Sequence, residues 1–201
     1  MKVSQKIKFV KIKDIFPEIF TGLYTDGRNM TKGNIKNEVY TFNKNALCYG
    51  TITQSKLYKK EVYDDIKDKY FMKPRDIIIS LKKPYKVGTM QFINFKDSNK
   101  ILIPNNFIVL RNINRDYYSY IFITNYLEKI GIDKYVKENN IKGDLHLVDI
   151  ESIEIPLIPK EEQMKITPLM NNINKRSSYF SVLLDNDEEL IKRVLNEVIG
   201  E

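Results

Sequence analysis

From Ile166 to Val198 apolar side chains return every three or four residues, as Ile166, Leu169, Ile173, Phe180, Leu183, Leu184, Ile191, Val194, Leu195 and Val198. That period is helical. Thr167-Pro168 suits a cap followed by proline at the first helical position. The spacing therefore predicts a short turn and then a helix from Pro168 to Ile199, about 48 Å long at ~1.5 Å per residue. Such a helix outruns a body built from residues 1–159. Its apolar stripe needs cover from a second copy of the chain or from an unlike partner helix. The polar stretch from Asp185 to Glu189 interrupts the stripe and marks an expected bend or exposed turn.

Charge divides the chain at the same place. Residues 1–160 hold 28 Lys and Arg against 18 Asp and Glu, whereas residues 161–201 hold 5 against 8. The basic surplus belongs to the first segment, as in a phosphate-facing domain joined to a tail with another task. With 42% apolar residues and only 7 Pro and 8 Gly, the chain has the composition of a folded protein. Cys48 is its one cysteine, which excludes an internal disulfide and a cysteine-built metal site, and fits a reducing cytosol. The lysine-punctuated start, Lys2 to Lys13, lacks the apolar stretch of a secretory signal, and no run approaches the ~20 apolar residues of a membrane span. A cytoplasmic protein without a membrane partner is expected.

Along residues 1–159 the pattern is mostly that of short strands. Lys6 to Phe16 reads as a half-buried strand followed by a turn near Pro17, and Thr21 to Asn37 as a loop. Six pieces rich in Val, Ile, Tyr, Phe or Thr follow: Glu38–Phe42, Ala46–Thr53, Leu57–Tyr63, Asp76–Leu81, Val87–Phe95 and Asn106–Arg111. The period changes at Asp116, where Tyr120, Ile123, Leu127 and Ile130 recur at helical spacing, with Asp116 as a cap and Gly131 as the residue that ends the helix. The expected class is α+β. A mixed, curled β-sheet domain with short helices occupies residues 1–159, and a long helix for coiled-coil-like pairing occupies 160–201.

Four segments, in order, resemble the target-recognition domain and following helix of type I restriction-modification specificity subunits. Arg75-Asp76-Ile77-Ile78-Ile79-Ser80, followed by Lys82-Lys83-Pro84-Tyr85-Lys86-Val87-Gly88, is similar to that family's G-D-I-L strand and basic loop. Pro104-Asn105-Asn106-Phe107-Ile108-Val109-Leu110 is similar to its N-x-N-F-x-V strand, and a helix ending in Tyr126-Leu127 comes next. Ile153-Glu154-Ile155-Pro156-Leu157-Ile158-Pro159-Lys160-Glu161-Glu162-Gln163 leads to Ile166 as the family's I-x-I-P-x-x-P-x-x-E-Q-x-x-I does. The departures are Arg75 where the family has glycine, and Pro168 early in the helical segment. Physically, the last segment is a strand that closes the sheet, two prolines that forbid further pairing, and acidic residues suited to the start of a helix.

The resemblance implies a half-length specificity subunit that reads double-stranded DNA. Its implied partners are methyltransferase subunits and, through them, a restriction subunit; S-adenosylmethionine is expected on the methyltransferase and no cofactor or metal here. Self-pairing would give a bipartite palindromic target, and an unlike half an asymmetric one. Candidate DNA-contacting residues fall in four polar loops: Tyr24, Arg28 and Lys32; Lys56, Lys59 and Lys60; Lys82, Lys83, Tyr85 and Lys86; and Lys142 to His146.

Catalytic patterns are missing. The sequence has neither the N/D-P-P-Y/F motif of amino-methyltransferases nor a G-x-x-x-x-G-K-[ST] phosphate loop. A metal nuclease built around Asp76 fails, because Asn94 stands where a carboxylate is required. One histidine and one cysteine give no hydrolase triad. A stand-alone DNA-binding or antirestriction protein of the same fold, and a cryptic nuclease, are the competing readings.

Overall fold

Ile77-Ile78-Ile79 and Phe107-Ile108-Val109-Leu110 are apolar at every position rather than at alternate ones, which requires a sheet buried on both faces. The computed structural model, which describes residues 7–24, 35–63, 66–90, 101–116 and 118–199, has that arrangement. Its strands are β1 (Phe9–Lys11), β2 (Glu18–Thr21), β3 (Ile35–Thr41), β4 (Leu47–Cys48), β5 (Gly50–Ile52), β6 (Tyr58–Tyr63), β7 (Ile77–Ser80), β8 (Val87–Thr89), β9 (Phe107–Arg111) and β10 (Glu154–Pro156). Six of them form a mixed sheet in the order β2-β9-β7-β8-β5-β4, in which only β5 and β8 run parallel. The antiparallel ribbon β3-β6 and the pair β1-β10 stand apart from it.

The α-helices are α1 (Ile12–Ile15), α2 (Tyr120–Tyr126), α3 (Ile132–Glu138), α4 (Leu147–Ser152) and α5 (Lys160–Ile199). Ile77, Ile79, Ile108 and Leu110 point to one face of the sheet and meet Ile12, Phe122, Ile123, Leu127 and Ile150 from the helices. Ile78, Phe107 and Val109 point to the other, where Phe42, Met72, Ile101 and Ile103 close a second core. The fold is α+β, as the sequence pattern predicts.

The strands expected at Asp76–Leu81, Asn106–Arg111, Glu38–Phe42 and Leu57–Tyr63 are present with shifted ends. Other expectations need correction. Ala46–Thr53 is not one strand: Tyr49 and Gly50 take positive φ values of 51° and 71°, so the chain reverses there and β4 pairs with β5. Lys6 to Phe16 holds only β1 before Ile12–Ile15 coils into a helical turn that buries Ile12 and Ile15. The segment after Pro17 is strand β2, not turn. The strand that ends in Pro156 pairs with β1 and does not close the main sheet. The piece expected at Val87–Phe95 forms β8 over Val87–Thr89, and residues 91–95 lie outside the described residues.

Ser119, not Asp116, caps α2, and Gly131 does not end that helix. A π-helical segment, Leu127–Gly131, carries α2 into α3 with Gly131 at φ −62° and ψ −47°. The glycine is there for proximity, since a Cβ on it would lie 2.9 Å from a ring carbon of Tyr126. The long helix begins at Lys160 rather than Pro168, so it spans about 60 Å at ~1.5 Å per residue, and helical bonding continues through Asp185 to Glu189. Its first turn is fixed by Gln163, which accepts a bond from the Ser119 amide at 2.9 Å and donates to the Ile158 carbonyl at 2.8 Å. Pro168 is thereby carried inside the helix.

Where the resemblance expects glycine, Arg75 has φ +73°. That left-handed backbone is the reason a glycine suits the position. Arg75→Gly should stabilise the domain by roughly 0.5–1 kcal/mol, read as a higher urea midpoint at unchanged slope. A lower midpoint would mean that the Arg75 guanidinium, 6.0 Å from the Tyr120 ring centre, outweighs the backbone effect.

Candidate nucleic-acid interface

Backbone hydrogen bonds draw distant loops to one end of the sheet. The Leu145 amide donates to the Leu81 carbonyl at 2.9 Å, the Leu81 amide to Asn106 at 3.0 Å, and the Leu23 amide to Ile103 at 2.8 Å. Leu145 is fully buried and anchors its loop, while its neighbours Asp144 and His146 remain exposed. Gly22 admits the remaining approach: a Cβ there would fall 2.2 Å from the Pro104 carbonyl oxygen. Together these contacts form an open groove of about 570 Å³.

Each of the four segments singled out in the sequence lines this groove: Tyr24 from the first, Lys60 from the second, which lies on strand β6 and not in a loop, Lys82 from the third, and Asp144, Leu145 and His146 from the fourth. Tyr58 shares the Lys60 face of β6 by the two-residue period of a strand, and Asn43, Asn105, Asn106 and Asp144 complete the polar lining. The groove thus offers two lysine cations, amide and imidazole groups that both donate and accept, and two exposed tyrosine rings. Sequence reading passed over Tyr58, although its alternation with Lys60 was the available signal. It used Asn105 and Asn106 only as part of a resemblance.

The other candidates are placed differently. Lys83 and Tyr85 brace the groove wall: the Lys83 ammonium donates to the Lys142 carbonyl at 3.1 Å, and the Tyr85 hydroxyl donates to the Gly143 carbonyl. Burial pushes the Tyr85 phenol above its ordinary value, which keeps it a donor. The Lys86 carbonyl accepts from the Ser80 amide at 2.8 Å and its side chain is half-buried; Lys142 is exposed. His146 precedes α4, not a strand, and its amide donates to Asp149 at 2.8 Å. Lys59, on the opposite face of β6, pairs with Glu38 at 2.9 Å. Lys56 pairs with Asp185 of α5 at 2.8 Å and so ties the domain to the helix. Arg28 and Lys32 lie outside the described residues.

Helix α5 turns a polar stripe to its own domain. Gln163 and Asn174 are buried, Thr167 meets Ser119 at 3.3 Å, and the Asn174 amide donates to Asn125 at 3.1 Å. The predicted apolar series, Ile166, Leu169, Ile173, Phe180, Leu183, Leu184, Ile191, Val194, Leu195 and Val198, is exposed throughout. Among the described residues no cluster of His, Cys, Asp and Glu could hold a metal ion, and no helix is long and apolar enough to cross a membrane.

No family model and no curated protein matches the chain. Solved structures do. The HsdS subunit from Thermoanaerobacter tengcongensis is 18% identical, with a TM-score of 0.59 over 98% of this chain and 50% of that one. A chain from the structural study of complex assembly and conformational transition of the type I R-M system is 18% identical, with a TM-score of 0.55 over 96% and 45%. The type I restriction-modification S subunit from M. genitalium is 14% identical, with a TM-score of 0.50 over 96% and 46%. The class is thereby defined by architecture: the chain has the fold of type I specificity subunits. It spans about half the length of each of these chains.

Proposed function

We propose that this chain is a non-catalytic DNA sequence-specificity subunit, or half of one, in a cytoplasmic type I restriction-modification system. Residues 1–159 read one part of a bipartite target, and residues 160–201 hold that reader at a fixed distance from a second one. The observation that carries this reading is the convergence of Tyr24, Lys60, Lys82 and His146 on one groove. Lysines at such a groove engage phosphates and set register, whereas Asn105, Asn106, Asp144 and His146 carry the donors and acceptors that distinguish base edges. The specificity-subunit fold of the solved relatives supports the same assignment. The second reader stands on a paired helix. A copy of this chain gives a palindromic target and an unlike half an asymmetric one. Methyl transfer belongs to recruited methyltransferase subunits, which bring S-adenosylmethionine, and cleavage to a restriction subunit bound through them.

The test is selection from a pool of random duplexes by the full chain together with its methyltransferase, followed by sequencing of the bound fraction. A motif split by an unread spacer is expected. His146→Ala should relax base preference at one position of each half while changing total affinity by less than about tenfold, the cost of one lost base contact. Recovery of unsorted sequence would overturn the assignment.

A further inference from the structure

Among the residues that line the groove, Asp144 carries the one carboxylate. Lys60 and Lys82 suit a surface that meets phosphates, whereas a carboxylate repels them. Asp144 is exposed, and its side chain makes no hydrogen bond or ion pair to a described residue, so neither lysine neutralises it. The Tyr85 phenol, raised by burial and then by the charge of Asp144, gives its hydrogen bond to the Gly143 carbonyl and not to that carboxylate.

Nor does Asp144 ride on a loose loop. Three bonds fasten residues 142–145 to the turn that follows β7: Lys83 to the Lys142 carbonyl at 3.1 Å, Tyr85 to the Gly143 carbonyl, and the Leu145 amide to the Leu81 carbonyl at 2.9 Å. Leu145, the next residue, is fully buried. The backbone is therefore held on both sides of Asp144, and its carboxylate is an unmatched acceptor that needs little further ordering to bind.

An ionised carboxylate only accepts hydrogen bonds. In the major groove of DNA, guanine presents N7 and O6 and thymine presents O4, all acceptors, so both are repelled. Cytosine presents its N4 amino group and adenine its N6 amino group. On adenine the acceptor N7 stands beside that amino group and faces the second carboxylate oxygen. Cytosine has only a C–H there, and is the better match.

We propose that Asp144 is a specificity-determining residue, which accepts a hydrogen bond from the N4 amino group of a cytosine in the major groove and excludes guanine and thymine from that position by repulsion. The assignment rests on the groove being a DNA interface and adds one named base pair to that reading. The test extends the duplex selection to full chains carrying Asp144→Ala or Asp144→Asn, each with the methyltransferase. The side chain is exposed, so circular dichroism and the urea midpoint should match those of the parent. The parent motif should hold, in each half, one C·G pair whose preference Asp144→Ala weakens roughly 10- to 100-fold, with every other position unchanged. The loss should come mainly from tighter binding of duplexes with guanine or thymine there. Asp144→Asn should admit adenine at the same position, because an asparagine amide matches its N6 and N7. Inosine in place of the paired guanine removes only a minor-groove amino group, and should change the parent's affinity by less than about threefold. A large loss with inosine would put the contact in the minor groove and overturn the assignment, as would relaxation at an A·T pair. A motif unchanged by both substitutions would show that Asp144 reads no base, while the groove's function stands. A parent that selects no motif would remove both.

Discussion

Arg111→Ala should lower the stability of the domain by about 3–5 kcal/mol, the usual consequence of leaving one member of a buried ion pair alone. The Arg111 and Asp76 side chains are 3% and 1% exposed, and their bond is two-pronged: Nε to Oδ1 at 2.8 Å and Nη2 to Oδ2 at 2.6 Å. The same guanidinium donates to the carbonyls of Lys69 at 3.0 Å and Phe71 at 2.9 Å. Truncation therefore leaves the buried Asp76 carboxylate with the Lys73 amide but no cation bonded to it, and removes the donor from two part-buried carbonyls. Burial already pushes the Asp76 carboxyl above its ordinary value against the pull of Arg111, and without Arg111 the Lys73 amide, 2.8 Å from Oδ2, and the Lys73 charge offset only part of that burial. Urea unfolding should show a midpoint much below that of the parent chain. Replacing both partners, as Asp76→Leu with Arg111→Met, should recover most of the loss. An Arg111→Ala chain as stable as the parent would show that the pair contributes no net stability.

Lys60→Ala combined with Lys82→Ala should weaken binding to duplex DNA by roughly 10- to 100-fold near 0.1 M salt, uniformly across sequences. Each lysine that neutralises a phosphate releases a counterion, so the slope of log affinity against log salt should become shallower by about two. Lys59→Ala is the internal control, since that side chain lies on the other face of the ribbon and is engaged by Glu38. Its effect should be negligible. Titration of a labelled duplex at several salt concentrations separates the cases; an unchanged slope in the double variant would remove both lysines from the phosphate interface.

The legible parts of the fold were those set by local pattern. Ile77–Ser80 and Phe107–Arg111 announced themselves because β-branched and aromatic runs bounded by polar turns have few other uses. The α5 stripe was legible for the same reason, although its start was not. Gln163 holds the first turn through partners at Ser119 and Ile158, and no helix-start rule sees a contact made 44 residues away. Helix α4 has six residues, too few for periodicity to register. At Gly131 the rule that glycine ends helices lost to a local demand, the approach of the Tyr126 ring from the preceding turn of the same helical run. The candidate groove was half legible. Polar, lysine-bearing segments named Tyr24, Lys60, Lys82 and His146 but not Asn43, Tyr58, Asn105 or Asn106, and the backbone bonds that gather those segments are all long-range. The same sequence logic could not separate Lys60, which lines the groove, from Lys59 and Lys56, which acidic neighbours engage.

Helix α5 gives its hydrogen-bonding side to its own domain and leaves its oily side uncovered. A chain made in excess of its partners would carry that strip bare. It would be the form most prone to clump and the first to be met by chaperones and proteases, so the amount of assembled complex, rather than synthesis of this chain, would set how much of it persists.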